Sequence, residues 1–353
     1  AGKPPAETEK LSALGLDTLV AAAVSNRRQG EFAITRGLLK TTGEQRGLFA
    51  ALTPQAGDLF SAGEAPPDAS VFWSMRLDLP KLWGCVRQIM AALSPQADAQ
   101  YEQTMNAFSQ QLGQPFDIGR DVLGVFGSRF GGYEVVDSEA EEKPGRRNVF
   151  LVDIQSRQAA ENLWSIVGRL APMLVQGFKT EEYLGRTLNV RVPPSRPGQP
   201  PPQQAGGAAF CILESQVVFS SSAEELKRFL RFRHEMPRSL RDVAAFQVTS
   251  SQLPAEGWGF FAYADQRRRR QGQFRALRLH GKVVNLPKLI QDAPPLLRPF
   301  LESIHVDKLP SREAITPYLM VSSTCLTPTE DGILFVEASI PSRRVEALAE
   351  GRQ

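Results

Sequence analysis

Six arginines fall within fifteen residues, Gln266-Arg-Arg-Arg-Arg-Gln-Gly-Gln-Phe-Arg-Ala-Leu-Arg-Leu-His280. Arg267, Arg268, Arg269, Arg270, Arg275 and Arg278 could together grip an acidic protein, a membrane surface or nucleic acid, because guanidinium groups pair bidentately with carboxylates and phosphates. RNA-type stacking would also want several interleaved aromatic rings, and Phe274 stands alone, so nucleic acid is disfavoured. The plainer alternative is a solvated loop followed by a strand, Phe274 to Leu279, with its arginines on the wet face.

Catalytic sets are harder to find. His234, His280 and His305 lie apart in different polar contexts, and none sits at metal-ligand spacing. No G-x-S-x-G, P-loop or G-x-G-x-x-G occurs. Gly127-Ser-Arg-Phe-Gly-Gly132 precedes a strand rather than a helix, so it reads as a turn and not as a phosphate cradle. Asp117 and Asp121, one helical turn apart, could hold a cation, but acidic residues near a helix start are the commoner cause of that spacing. Ser220-Ser-Ser222 looks nucleophilic, yet Ser222 with Glu225 is a capping box. Cys85, Cys211 and Cys325 have no partner at zinc spacing. Cys211 and Cys325 sit in apolar strand patterns and read as small buried hydrophobes. These residues assign no catalytic site, no metal and no cofactor.

The elements that must position such groups are legible from periodicity. The chain has 353 residues, 42% hydrophobic and 22% charged, with a formal charge of +3. It can bury a sizeable core, and its charge implies no global electrostatic partner. No apolar run approaches the length needed to cross a bilayer. Asp17 offers an N-cap to a short helix over Leu19–Val24. Strand patterns follow at 31–42, 70–79, 130–136, 149–154, 188–192, 209–220, 257–264, 315–326 and 332–340. Helical stripes follow Pro80, run over 101–112, continue after Val149–Ile154, and open at Ser222 and Ser239. Leu286–Leu301 is helical but interrupted by prolines. Pro193 to Gly207 is a Pro-rich tip.

Most strands alternate apolar and polar residues, which favours an antiparallel sheet with one covered face. Each helix carries one apolar stripe, so the expectation is an α+β fold, a large, curved, mostly antiparallel sheet with helices packed on one face. Asp78-Leu-Pro-Lys-Leu82 reappears as Asn285-Leu-Pro-Lys-Leu289, each leading into helix, strand, turn and strand. An internal duplication would explain that echo. The expected organisation is an N-terminal segment over 1–68 packing on two α+β halves, 69–247 and 248–353.

The order of these pieces resembles the DUF3352 family of uncharacterised exported bacterial proteins, common in bacteria of planctomycete type. The likeness is carried by Leu14-Gly-Leu-Asp-Thr-Leu19, Arg46-Gly-Leu48, Pro66-Pro-Asp-Ala69, Phe116-Asp-Ile-Gly-Arg-Asp-Val-Leu123 before Phe126-Gly127, Ser239-Leu-Arg-Asp242 and the terminal hairpin at Asp331-Gly332. The basic segment 266–282 departs from that pattern. The resemblance implies export and a non-catalytic role. The start Ala1-Gly-Lys-Pro-Pro agrees with a cut signal peptide and leads to the same expectation of a periplasmic or envelope location.

Two readings follow. The first is a non-enzymatic scaffold or binding protein, an accessory subunit of a larger assembly, with the basic segment meeting a protein partner or an acidic or membrane surface. The second is a carrier of an apolar, lipid-like ligand between sheet and helices, lined by Phe72, Trp73, Trp83, Trp164, Trp258, Phe260 and Phe261.

Overall fold

In the computed structural model, twelve strands among the described residues form one sheet in which every neighbouring pair is antiparallel. The structure describes residues 14–42, 47–93, 95–137, 145–192, 207–235, 238–270 and 312–350, with isolated positions between 291 and 298. The strands are β1 (Leu19–Gln29), β2 (Phe32–Thr41), β3 (Val71–Arg76), β4 (Phe126–Asp137), β5 (Gly145–Ile154), β6 (Phe178–Tyr183), β7 (Arg186–Arg191), β8 (Ala209–Ile212), β9 (Gln216–Ser220), β10 (Phe260–Asp265), β11 (Met320–Thr329) and β12 (Gly332–Pro341). Their order across the sheet is β1-β2-β12-β11-β10-β3-β4-β5-β9-β8-β7-β6. The longer helices are α1 (Gly47–Leu52), α2 (Leu79–Leu93), α3 (Pro95–Leu112), α4 (Arg157–Leu170), α5 (Ala223–Glu235), α6 (Ala244–Ser250) and α7 (Ser342–Glu350).

This is the α+β, antiparallel architecture that strand alternation calls for. β10 and the first six residues of β11 bury every second residue, so one sheet face is covered there. The β3–β10 pair lies inside the sheet, and a three-strand meander runs outward from it on either side, β3-β4-β5 and β10-β11-β12. Segments 1–68, 69–247 and 248–353 all contribute strands to this sheet.

Helix placement is less uniform than one stripe per helix suggests. The main core joins one sheet face to Leu226 and Phe229 of α5, Val248 of α6 and Val345 of α7. On the opposite face, Ala160, Leu163 and Trp164 of α4 cover Phe210 and Val217 of β8 and β9. A third cluster joins Met105 and Leu112 of α3 to Ile166 and Leu170 of α4. Single-face packing therefore holds for α5, α6 and α7, while α4 lies on the other side. The cause is that β8 and β9 bury both their faces, so Phe210 and Cys211, adjacent in sequence, enter different cores.

Other local expectations change too. Residues 19–24 are not helix but the start of β1. Their alanines favour helix by tenths of a kcal/mol each, which a ten-pair ladder with β2 overrides. Gly127 to Gly132 is not a turn but part of β4. There a Cβ at Gly132 would stand 2.4 Å from the Val149 carbonyl oxygen, so glycine marks a close approach of strands. The apolar run 209–220 splits into the β8–β9 hairpin; β6, exposed along most of its length, shows no alternation, and α7 is a further helix beyond the sequence expectations. Residues 266–270 continue as helix rather than loop. The Pro-rich tip 193–206, the prolines near 294 and the second copy of the Leu-Pro-Lys echo lie largely outside the described residues. No helix among the described residues is long and apolar enough to cross a membrane.

Candidate ligand-binding cleft

The arginine segment is the first place to look for a site, and its structure redirects attention. Asp265, the last residue of β10, is fully buried. Arg267 meets its carboxylate with Nε at 3.2 Å and Nη2 at 3.0 Å, and donates its backbone N–H to the same group at 3.0 Å. Arg268 stands 3.5 Å from Asp265 and donates to the Ala69 carbonyl at 3.3 Å. Arg269 lies 3.5 Å from Glu134. These three guanidinium groups pin the end of β10 to the loop before β3 and to β4. Arg270 is exposed. Arg275 and Arg278 lie outside the described residues.

Other sequence candidates are likewise engaged locally. Asp117 accepts from the Arg120 N–H at 2.8 Å, and Asp121 accepts from the Asp117 N–H at 2.8 Å. The Arg120 guanidinium beside Asp121 holds its carboxyl below the usual carboxylate range. The two aspartates thus serve as caps around an arginine. Ser222 accepts from the Glu225 N–H, as a cap does, while the Glu225 carboxylate turns to Arg147 at 3.3 Å. Cys211 and Cys325 are buried and free, and burial pushes both thiols up to about 11, which leaves them unreactive. His234 lines a pocket of about 340 Å3 with Glu214, Gln216 and Arg233. Glu214 there takes Arg157 and Arg186, each at 3.4 Å, so it is committed to arginines. His280 and His305 lie outside the described residues.

A cleft of about 650 Å3 opens elsewhere, between the core face of the sheet and α6. Its floor comes from two strands far apart in sequence. Phe72 of β3 pairs with Tyr263 of β10, and Ser74 pairs with Phe261. Paired residues share a face, so Phe72 and Phe261 meet with ring centroids 6.2 Å apart. From α6, Phe246 packs edge-on against Phe261 at 5.8 Å and against Tyr263 at 5.5 Å. Trp258 stacks on Phe261 at 5.1 Å, its indole N–H held by the Pro254 carbonyl at 2.8 Å. Phe60 closes the far side, its backbone N–H donating to the buried Ser74 hydroxyl at 2.8 Å.

The rim is charged. Arg241 donates to the Ser61 hydroxyl at 2.7 Å, and exposed Asp58 and Glu256 stand on the same mouth. Ser239, which the sequence marks as a cap, closes a reciprocal capping box with Asp242, and this box fixes Arg241 and the approach to α6. Behind Phe60, the Arg129 guanidinium sits 5.0 Å above the ring and is anchored by Asp153 at 2.6 Å. Phe60, Phe72 and Phe261 are themselves buried in the main core, so the accessible ring surface comes from half-buried Phe246 and Trp258, with a few polar groups at the entrance.

Of the seven aromatics expected to line a cavity, Phe72, Trp258 and Phe261 do so together. Trp73 and Phe260 precede or follow inward residues by one position and face the other side of the sheet. Trp83 packs on Tyr101, and Trp164 packs on Phe178 and Phe210. Phe60, Phe246 and Arg241 escape a sequence reading, although the Ser239-Leu-Arg-Asp242 cap lies just ahead of Phe246. No protein-family model matches the chain, and no curated protein or solved structure shows a significant similarity to it.

Proposed function

We propose that this chain is a non-enzymatic binding protein that holds an apolar ligand in the cleft between its sheet and α6. The observation that carries this reading is the convergence of five aromatic rings on an opening of about 650 Å3. That volume falls inside the ~300–1,000 Å3 range of small-molecule sites. Rings from two strands, one helix and two loops form its walls, so the floor is fixed by the sheet while Phe246 and Trp258 can adjust. A ligand with a ring-containing or branched apolar body and one polar end fits that floor and the rim of Arg241, Asp58 and Glu256.

The test is titration of the whole protein with an amphipathic naphthalene dye, alongside native mass spectrometry of protein isolated gently from its own cells. Phe246→Ala and Trp258→Ala are each expected to weaken dye binding about tenfold, equal to about 1.4 kcal/mol. A lipid-sized bound mass should be depleted in the same variants. Dye binding and bound mass that both variants leave unchanged would overturn the reading.

A second reading, an exported accessory subunit of a larger assembly, is favoured by the length of exposed edge strand at β1. In it, Arg269 and Arg270 are the described arginines of the basic segment that are exposed, and they face an acidic or membrane surface. Co-purification in a defined larger particle from the cell envelope supports that reading; recovery from the cytoplasm as a lone chain counts against it.

A further inference from the structure

Among the described residues, β1 closes one end of the sheet and pairs with β2 alone. It has eleven residues, and every one after Leu19 is exposed. Val20 is 55% and Val24 79% exposed, among the largest values for apolar side chains in the described chain. Long edges are normally blunted by prolines, spaced charges or bulges, because their unpaired N–H and C=O groups template further strands. β1 has no proline. Its charges, Arg27 and Arg28, sit together at the turn end, and its irregularity lies at Leu19–Ala21. From Ala21 to Gln29 its register with β2 is unbroken and its side chains are exposed.

We infer that β1 is an interface, and that its occupant is β1 of a second copy of this chain, paired antiparallel about a two-fold axis at Val24. The available hydrogen-bonding groups fix the register. Gly30 and Glu31 form a two-residue turn, so Gln29 and Phe32 are a hydrogen-bonded pair. Alternation then turns the N–H and C=O of Gln29, Arg27 and Ser25 toward β2, and those of Ala22, Val24, Asn26 and Arg28 outward. A two-fold at Val24 sets Val24 opposite its own mate and Ala22 opposite Asn26, each an outward-facing residue, and brings Arg28 opposite Val20 at the irregular end of the strand.

Side chains favour the same occupant. Ala21, Ala22 and Ala23 present little shape for an unrelated partner to read, but they let two identical strands approach closely. The antiparallel two-fold places the Arg28 residues eight positions apart, roughly 27 Å at ~3.4 Å per residue. A parallel alignment would stack them. On the face opposite the main core, Val24 pairs with Gly37 and Gly37 with Phe335. The Cβ that Gly37 lacks would stand 3.5 Å from Phe335 Cβ, so the ring of Phe335 lies against bare backbone beside Val24. Across the axis this becomes one apolar stripe, Phe335–Gly37–Val24 running into its copy.

The test is sedimentation velocity of the full chain over a range of concentrations, for the wild type, Val24→Pro and Val24→Lys. Proline at an outward-facing N–H leaves the β2 ladder intact and removes the central donor. Lysine sets two cations at the axis. The wild type is expected to dimerise, and both variants to raise the dimer dissociation constant about tenfold or more, with unchanged circular dichroism. In a Cys85→Ser background, Val24→Cys should cross-link to a dimer on oxidation while Asn26→Cys should not, since only position 24 meets itself. A wild type that stays monomeric overturns the inference. So does a dimer that both variants leave intact, or a monomer whose β1 amides resist hydrogen exchange because another part of the same chain covers them.

Discussion

Asp265 offers the sharpest quantitative test of how this fold is held. Its side chain is fully buried at the end of β10, with Arg267 engaging it through two guanidinium nitrogens and a backbone N–H, and Arg268 close by. Asp265→Ala removes the acceptor for all of them. Breaking a buried ion pair from one side costs about 3–5 kcal/mol, because the remaining charge stays poorly solvated. Here the side chains of Arg267 and Arg268 are 21% and 32% exposed, so both can turn partly to water. The expected loss is therefore roughly 2–4 kcal/mol. Asp265→Asn keeps an acceptor of the same shape without the charge and should lose roughly 1–2 kcal/mol. Arg270→Ala, at an exposed position of the same segment, should stay within about 0.5 kcal/mol. Urea unfolding reads all three as midpoint shifts at constant slope. The double variant Asp265→Ala/Arg267→Ala should recover part of the loss, since it removes the stranded charge. If Asp265→Ala is no worse than Arg270→Ala, the arginines are not structural, and the segment returns to being a free basic surface.

Two further outcomes follow from glycine packing and from burial of a carboxyl. Gly132→Ala should cost about 1–3 kcal/mol by forcing β4 and β5 apart, whereas Gly84→Ala in α2, with open space around its missing Cβ, should gain about 0.5–1 kcal/mol; equal effects in urea unfolding would refute the close-approach argument. Burial pushes the Glu64 carboxyl above its ordinary range, more than Arg233 and Arg129 pull it down, and its Oε2 is buried without a hydrogen-bond partner. A raised folded-state value means the folded protein takes up the proton more readily, so this group favours folding in acid and that contribution is lost as pH rises through the raised value. Glu64→Gln should thus be more stable than the wild type at neutral pH and lose its advantage on acidification; stability curves that run parallel across pH would contradict this.

Several elements are readable from the sequence because their causes are local. Alternation over 257–264 and 332–340 marks β10 and β12, the pattern over 315–326 marks β11 only from Met320 on because Arg312–Tyr318 is helical, and Asp331-Gly332 marks the turn between the last two strands. Ser222 and Ser239 announce helix starts with side chains that accept backbone N–H groups within three residues. The cleft was legible in part. Phe72, Trp258 and Phe261 stand out as aromatics in strand patterns, but nothing in the sequence separates them from Trp73 or Phe260, one position away.

What the sequence determined alone was the class of the molecule, an antiparallel α+β fold. Strand alternation and single helix stripes are properties of neighbouring residues, and they hold whatever the partner. Tertiary structure decided the rest. Residues 19–24 became strand because β2 supplied a ladder worth more than their helix preference. Gly132 of β4 became a close strand contact because the Val149 carbonyl lies across from it. Arg267 and Arg268 turned inward because the β3–β10 pairing buries Asp265 and leaves a charge to be neutralised, while Arg269 stays exposed beside Glu134. The same pairing joins positions nearly two hundred residues apart and gathers Phe72 and Phe261 into one floor. Such contacts depend on which strand lies beside which, and no local propensity carries that information.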